Sequence, residues 1–185
     1  RLANIFIEKQ ASLNWDKYNS LLHILVKEQS NENKGQGYIR SVVNFAIANK
    51  ADPNVKDNDS RTPLHIAAGG KYESYDLVLE LISGGADVDI KDKDNNTALF
   101  YCAKAPYNKN DVFAALLNNT KTDINARYGE KQNTLLMEAA ANGNKIITMM
   151  LIACGADDSL VNKDNKTALM LAKEKLALFD TSLVD

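Results

Sequence analysis

The sequence predicts an all-α chain, a helical solenoid of about five stacked repeats. Two recurrences and their fixed spacing predict it. The phrase Thr62-Pro63-Leu64-His65-Ile66-Ala67-Ala68 returns in weaker form as Ser20-Leu21-Leu22-His23, Thr97-Ala98-Leu99-Phe100, Thr134-Leu135-Leu136-Met137 and Thr167-Ala168-Leu169-Met170. The steps are 42, 35, 37 and 33 residues. A second phrase runs in step with the first, as Lys50-Ala51-Asp52-Pro53-Asn54, Gly85-Ala86-Asp87-Val88-Asp89, Lys121-Thr122-Asp123-Ile124-Asn125 and Gly155-Ala156-Asp157-Asp158-Ser159. The last residue of each stands 8, 8, 9 and 8 residues before the next Thr. A period of this length means supersecondary units that bury their faces against their neighbours.

Residues 57–89 show one unit in order. Asp57 to Arg61 is rich in turn formers. Thr62 suits a helix N-cap, and Pro63 suits the first turn, where its missing N–H costs nothing. Leu64, Ala67 and Ala68 make a short helix with a small-residue face. A turn around Gly69 to Glu73 follows. Leu77, Val78, Leu81 and Ile82 recur at helical spacing, giving an outer amphipathic helix that Gly84-Gly85 stops. Ala86 to Asp89 leads into a hairpin over Ile90 to Asn96. At the ends, Leu2, Ala3, Phe6 and Ile7 read as an outer helix closed by Gln10 to Asn14. Thr167 to Lys175 reads as an inner helix, and Leu176 to Val184 as a short second helix or cap.

This pattern of hairpin, inner helix and outer helix resembles the ankyrin repeat across essentially the whole chain. The resemblance implies a single array over 1–185. It divides into the outer helix of a partial repeat (1–14), a first repeat over 15–54, repeats over 55–89, 90–125 and 126–159, and a C-terminal capping repeat over 160–185. Against the family's spacing, the turns between inner and outer helices carry insertions of about 9, 2, 3 and 0 residues. The largest, a polar Gly-containing loop, falls at 30–37. A chain that begins at Arg1, in mid-repeat, reads as a piece of something longer.

Composition excludes some function classes. The chain has 185 residues with net charge −2, which predicts no nucleic-acid or anionic-membrane partner. No stretch of about 18 apolar residues is present, so membrane insertion is not expected. Cys102 and Cys154 lie in apolar contexts and read as two buried free thiols of a reducing, intracellular compartment, cytoplasmic or a host cytosol.

Motifs that could carry chemistry resolve into repeat grammar. His23 and His65 have no cysteine or carboxylate at ligand spacing, so no metal site is expected. By resemblance they tie hairpins together. Asp92 to Asn96 begins like a calcium loop, but Thr97 stands where glycine is required and Ala103 where glutamate is. Asn95 instead replaces the hairpin glycine and suits a positive φ. Gly35-Gln36-Gly37 lacks the third glycine of a dinucleotide loop. Asn58, Asn95, Asn118 and Asn165 fit a glycosylation pattern, three of them through hairpin grammar alone. No nucleophile has a base at motif spacing. The expectation is no catalysis and no cofactor.

The resemblance implies binding on a concave face made of hairpin tips and inner-helix positions. Carried over residue by residue, the expected contacts are Trp15, Lys17, Lys56, Arg61, Lys91, Lys93, Asn96, Lys104, Arg127, Tyr128, Lys131, Asn142, Lys163 and Lys166. The full carried-over face holds 12 Lys or Arg against 7 Asp or Glu, net +5, in a chain that is negative overall. That segregation points to a protein partner with an acidic surface. Trp15, Tyr18 and Tyr128 read as aromatic anchors at exposed tips. Asn125, with Leu117, Asp123 and Ile124 before it, matches the context for asparaginyl hydroxylation of ankyrin hairpins. The expected function is a non-catalytic protein–protein interaction module, monomeric or part of a longer chain. The alternative is the targeting or autoinhibitory arm of a larger enzyme or host-directed effector.

Overall fold

The computed structural model describes residues 22–24, 26, 36–49, 51–71, 74–106 and 108–181, with backbone only at 36–39 and 178–181. The expected partial repeat at 1–14 lies outside these residues. Contacts divide the chain into two compact units, Arg1–Asp87 and Val88–Asp185.

In the first unit, residues 22–24 and 26 are helical. They are followed by α1 (Gln36–Ala48), α2 (Pro63–Gly69) and α3 (Tyr75–Ser83). Gln36 and Gly37 thus belong to a helix, where the sequence predicts a loop over 30–37. Thr62 is extended, and Pro63 opens α2. His65 folds back so that its Nδ1 accepts from Thr62 N at 3.1 Å, with Thr62 Oγ1 at 2.8 Å. This satisfies an orphan N–H where a glutamate side chain would ordinarily reach. Leu64, Ala67 and Ala68 of α2 are fully buried, as are Leu77, Val78 and Leu81 of α3. Both α1 and α2 pack on α3. Arg40 spans from α1 to Glu80 (2.8 Å) and Asp76 (3.3 Å) of α3, an exposed pair that contributes a few tenths of a kcal/mol. His23 Nε2 lies 2.8 Å from Arg61 O, joining the first inner helix to the next turn as expected.

The second unit holds α4 (Ala98–Lys104), α5 (Asn110–Asn119), α6 (Leu135–Asn142), α7 (Lys145–Ala153) and α8 (Ala168–Thr181). The inner helices α4, α6 and α8 pack in a row, and α5 and α7 flank them. Thr134 repeats the cap of Thr62 with a sulfur. Its Oγ1 accepts from Met137 N (3.3 Å), and Met137 Sδ accepts from Thr134 N (3.4 Å). Between α6 and α7, where the sequence shows no insertion, Gly143 takes φ 74° and closes the helix with a left-handed turn.

The turns before the inner helices hold a single bridge among the described residues, Tyr128 to Asn133. Two expectations change. The C-terminal segment is one helix running to Thr181, not two, because nothing near Lys175 supplies a turn. Cys102 is a buried free thiol, but Cys154 caps the end of α7 and is exposed.

Candidate functional site

The turns that precede the inner helices carry most of the expected contacts, and their geometry comes from one side chain each. Asp57 Oδ1 accepts from Asp59 N and Arg61 N, both at 2.9 Å. Asp92 Oδ1 accepts from Asp94 N and Asn96 N at 2.9 Å. Asn162 Oδ1 accepts from Asp164 N (2.9 Å) and Lys166 N (3.0 Å). The anchor's backbone N–H closes the same loop, with bonds from Asp57 to Arg61, Asp92 to Asn96 and Asn162 to Lys166. A carboxylate or amide therefore does the work of a second strand. The anchor's other atom binds differently each time. Asp57 Oδ2 accepts from Arg61 Nη2 (2.8 Å), Asp92 Oδ2 accepts from Tyr101 Oη (2.7 Å), and Asn162 Nδ2 donates to Asn133 Oδ1 (2.8 Å).

The turn at 128–133 has one more residue and no such anchor. Tyr128 and Asn133 exchange backbone bonds of 2.8 and 3.1 Å, and Gly129 adopts φ 62°. Tyr128 consequently stands at the neck of the turn, where the others hold Asp or Asn. Its ring is 1% exposed and stacks on Phe100, centroids 5.1 Å apart. The expectation of an exposed anchor at Tyr128 is overturned. Burial raises the pKa of its phenol, the charges of Asp89 and Asp123 raise it further, and Thr97 lowers it only in part. The Thr97 side chain lies near enough to act on the phenol, but Tyr128 Oη is buried without a hydrogen bond of ordinary geometry.

Asn96 is also corrected. It is 8% exposed and held at the turn neck by Asp92. Arg61 is half-buried and bound to Asp57 and Asp59. Arg127 donates to the carbonyls of Gln132 (3.1 Å) and Val161 (2.7 Å), tying successive turns. Lys166 pairs with Glu174 at 2.8 Å, and Asn142 bonds back to Glu138 O. Trp15, Lys17 and Tyr18 lie outside the described residues. Lys56 is exposed in the first unit, and Lys91, Lys93, Lys104, Lys131 and Lys163 are exposed in the second.

Within the second unit, an open cleft of about 650 Å³ lies over the Phe100–Tyr128 stack. Lys93, Lys104 and Lys131 line it, but so do Asp94, Glu130 and Glu138. The cleft itself is charge-balanced, which the sequence count did not show. Lys104 Nζ stands 5.9 Å from the Phe100 ring centroid, a cation–π distance.

A second set of side chains joins adjacent repeats, and sequence reasoning missed its role. Asn54 Oδ1 accepts from Asp87 N (2.7 Å). Asp89 accepts from Lys121 N and from the hydroxyls of Thr120 and Thr122. Asn125 Oδ1 accepts from Asp157 N (2.9 Å). These are the last residues of the second phrase, so the recurring Asn or Asp was the available signal. Burial pushes the Asp89 carboxyl up, but the bonds it accepts outweigh burial and leave it below its ordinary value.

The family description "Ankyrin repeats (3 copies)" matches residues 22–128, and "Ankyrin repeat" matches 131–166. The chain belongs to the ankyrin repeat family. The break between the two matches falls at Gly129 and Glu130, inside the longer turn. Ankyrin repeats are generally protein–protein interaction modules and typically non-catalytic. No curated protein matches the chain. Among the described residues no group of acidic, His and Cys side chains is arranged to hold a metal, and no helix is long and apolar enough to cross a membrane.

Proposed function

We propose that this chain is a non-catalytic, intracellular binding module whose second unit docks a partner protein on its turn and inner-helix face. The observation that carries the reading is the set of exposed lysines, Lys91, Lys93, Lys131 and Lys163 at turns that their own hydrogen bonds hold in shape and Lys104 at the end of α4. A preformed surface loses little conformational freedom on binding, so more of the contact energy survives as affinity. The lysines favour an acidic protein surface and speed its approach. The interspersed Asp94, Glu130 and Glu138 disfavour a nucleic-acid backbone, which would have to pass all three carboxylates.

The test is affinity capture from lysate with the wild-type chain beside a Lys91→Glu/Lys93→Glu/Lys131→Glu variant. Association of each captured protein is then measured against ionic strength. A partner lost by the variant, and bound more slowly as salt rises, supports the reading. A partner held equally by both, with salt-independent association, overturns it.

A further inference from the structure

We infer that the cleft over the Phe100–Tyr128 stack receives one arginine side chain of the partner protein, with Glu138 as the carboxylate that binds it. The site depends on the docking face proposed above.

A relay of three side chains presents Glu138. Asn162 Oδ1 already accepts from Asp164 N and Lys166 N, so its amide offers Nδ2 to the preceding turn. Asn162 Nδ2 donates to Asn133 Oδ1 (2.8 Å), which leaves Asn133 Nδ2 to donate to Glu138 Oε1 (2.7 Å). Both asparagines are buried, and Glu138 is half-buried in the cleft wall. The direction of every bond in the relay is thereby set. One oxygen of Glu138 is held by a buried amide, and Oε2 takes no hydrogen bond among the described residues.

Charge selects the occupant. The lining is neutral by formal count, but its two signs do not pair with each other. Lys131 reaches instead to Asp164, outside the lining, at 3.9 Å. Lys93 has a partner of its own, and Lys104 lies over the Phe100 ring. The Asp94 and Glu130 carboxylates make no bond among the described residues, and Glu138 uses one oxygen. The unmet charge of the cleft is therefore mainly negative, and a cation meets it. Arginine suits it better than lysine. Its planar fork of five N–H donors bonds Glu138 Oε2 and still points donors toward the carboxylates of the turns. Half-burial of Glu138 protects such a pair from the screening that weakens an exposed one. No carboxylate neutralises Lys104, which calls for an acidic residue near that arginine. A basic side chain set in an otherwise acidic surface fits both the cleft and the lysines around it.

The probe is a phage-displayed library of random dodecapeptides selected on the 185-residue chain. Selected peptides should share an arginine with Asp or Glu nearby. Changing that arginine to alanine in a synthetic peptide, or Glu138→Gln in the protein, should each weaken binding about tenfold, and the two together no further. Glu138→Gln keeps an acceptor for Asn133, so helical CD and thermal midpoint should stay unchanged. Glu138→Lys should prefer the peptide whose arginine is exchanged for glutamate. Peptides that share no arginine, binding indifferent to Glu138→Gln, or a selection without binders overturns the inference. Peptides lost by Lys91→Glu/Lys93→Glu/Lys131→Glu but kept by Glu138→Gln would leave the docking face standing and remove the arginine site. Peptides kept by both variants would remove both.

Discussion

The turns at 57–61, 92–96 and 162–166 and the turn at 128–133 present inner helices in the same way, but different groups hold them. In the first three, one Asp or Asn side chain accepts two backbone N–H groups. In the fourth, the backbone bridges itself and an aromatic ring fills the space below. The difference follows from one inserted residue. It lengthens the span from neck to cap, so a side chain as short as aspartate at the neck could no longer reach both N–H groups, and a packed tyrosine takes its place. Polar closure reaches outward through single hydrogen bonds, from Asp92 to Tyr101 of α4 and from Asn162 to Asn133 of the preceding turn. Apolar closure couples the turn to α4 through Phe100, and so couples the cleft's floor to the stability of the unit.

The largest expected effect tests that coupling. Tyr128→Ala removes a fully buried ring and one half of the Phe100 stack. It should cost about 3–5 kcal/mol in urea unfolding, as large aromatic truncations do. Tyr128→Phe keeps the ring and deletes the hydroxyl that is buried without a well-formed bond, so it should be neutral or slightly stabilising. If Tyr128→Ala costs less than about 1 kcal/mol, the longer turn is held by its backbone bridge and the proposed difference between the turns fails.

The regular turns were more legible from sequence than the irregular one. Thr62, Leu64 and His65 carry local signals, a cap and a helical apolar position, and these survive whatever surrounds them. The positive φ expected at Asn95 is present at 66°, and Asn165 repeats it at 56°. Position in the repeat predicts Tyr128 and Asn96 on the exposed face, but both are buried. One inserted residue moved Tyr128 from tip to neck. Asn96 sits where Arg61 and Lys166 sit, but its side chain is too short to reach solvent past Asp92. The sequence divides the C-terminal segment into an inner helix to Lys175 and a short second helix or cap from Leu176, but Lys175 to Asp180 supplies no glycine, proline or asparagine to turn between them.

A smaller effect separates the charged anchor at 57 from the neutral one at 162. Burial pushes the Asp57 carboxyl up, and bonds from Arg61 and Asp59 outweigh it, so its folded pKa lies below the ordinary 3.8. A depressed pKa contributes stability that is fully present above the unfolded value and is lost as pH falls through the folded one. Asp57→Asn keeps the acceptor for Asp59 and Arg61 N–H but loses the charge toward the Arg61 guanidinium. It should cost on the order of 0.5–1 kcal/mol at neutral pH. The gap to wild type should begin to narrow near pH 3.8 and close as pH falls through the lower folded pKa. A gap that persists unchanged into acid would assign the loss to turn geometry instead of charge. The amide already at Asn162 predicts no such pH dependence in the last turn.

The smallest effect concerns the residue two before each cap. Ser60, Asn95, Gln132 and Asn165 all hold φ between 56° and 66°, a region glycine enters freely and other residues enter at a cost. Asparagine pays least, since its short side chain tolerates the left-handed region. Gln132 has no such advantage, and its side chain returns only one bond, to Gly129 O at 3.0 Å. Gln132→Gly should therefore stabilise the unit by roughly 0.5 kcal/mol, and Asn95→Gly should have less effect, read as paired shifts in thermal midpoint. Each replacement also loosens the unfolded chain, which sets the ceiling on the gain. If Gln132→Gly destabilises while Asn95→Gly does not, the Gln132 side-chain bond outweighs its backbone strain. In that case the longer turn, like its regular counterparts, relies on a side chain to close.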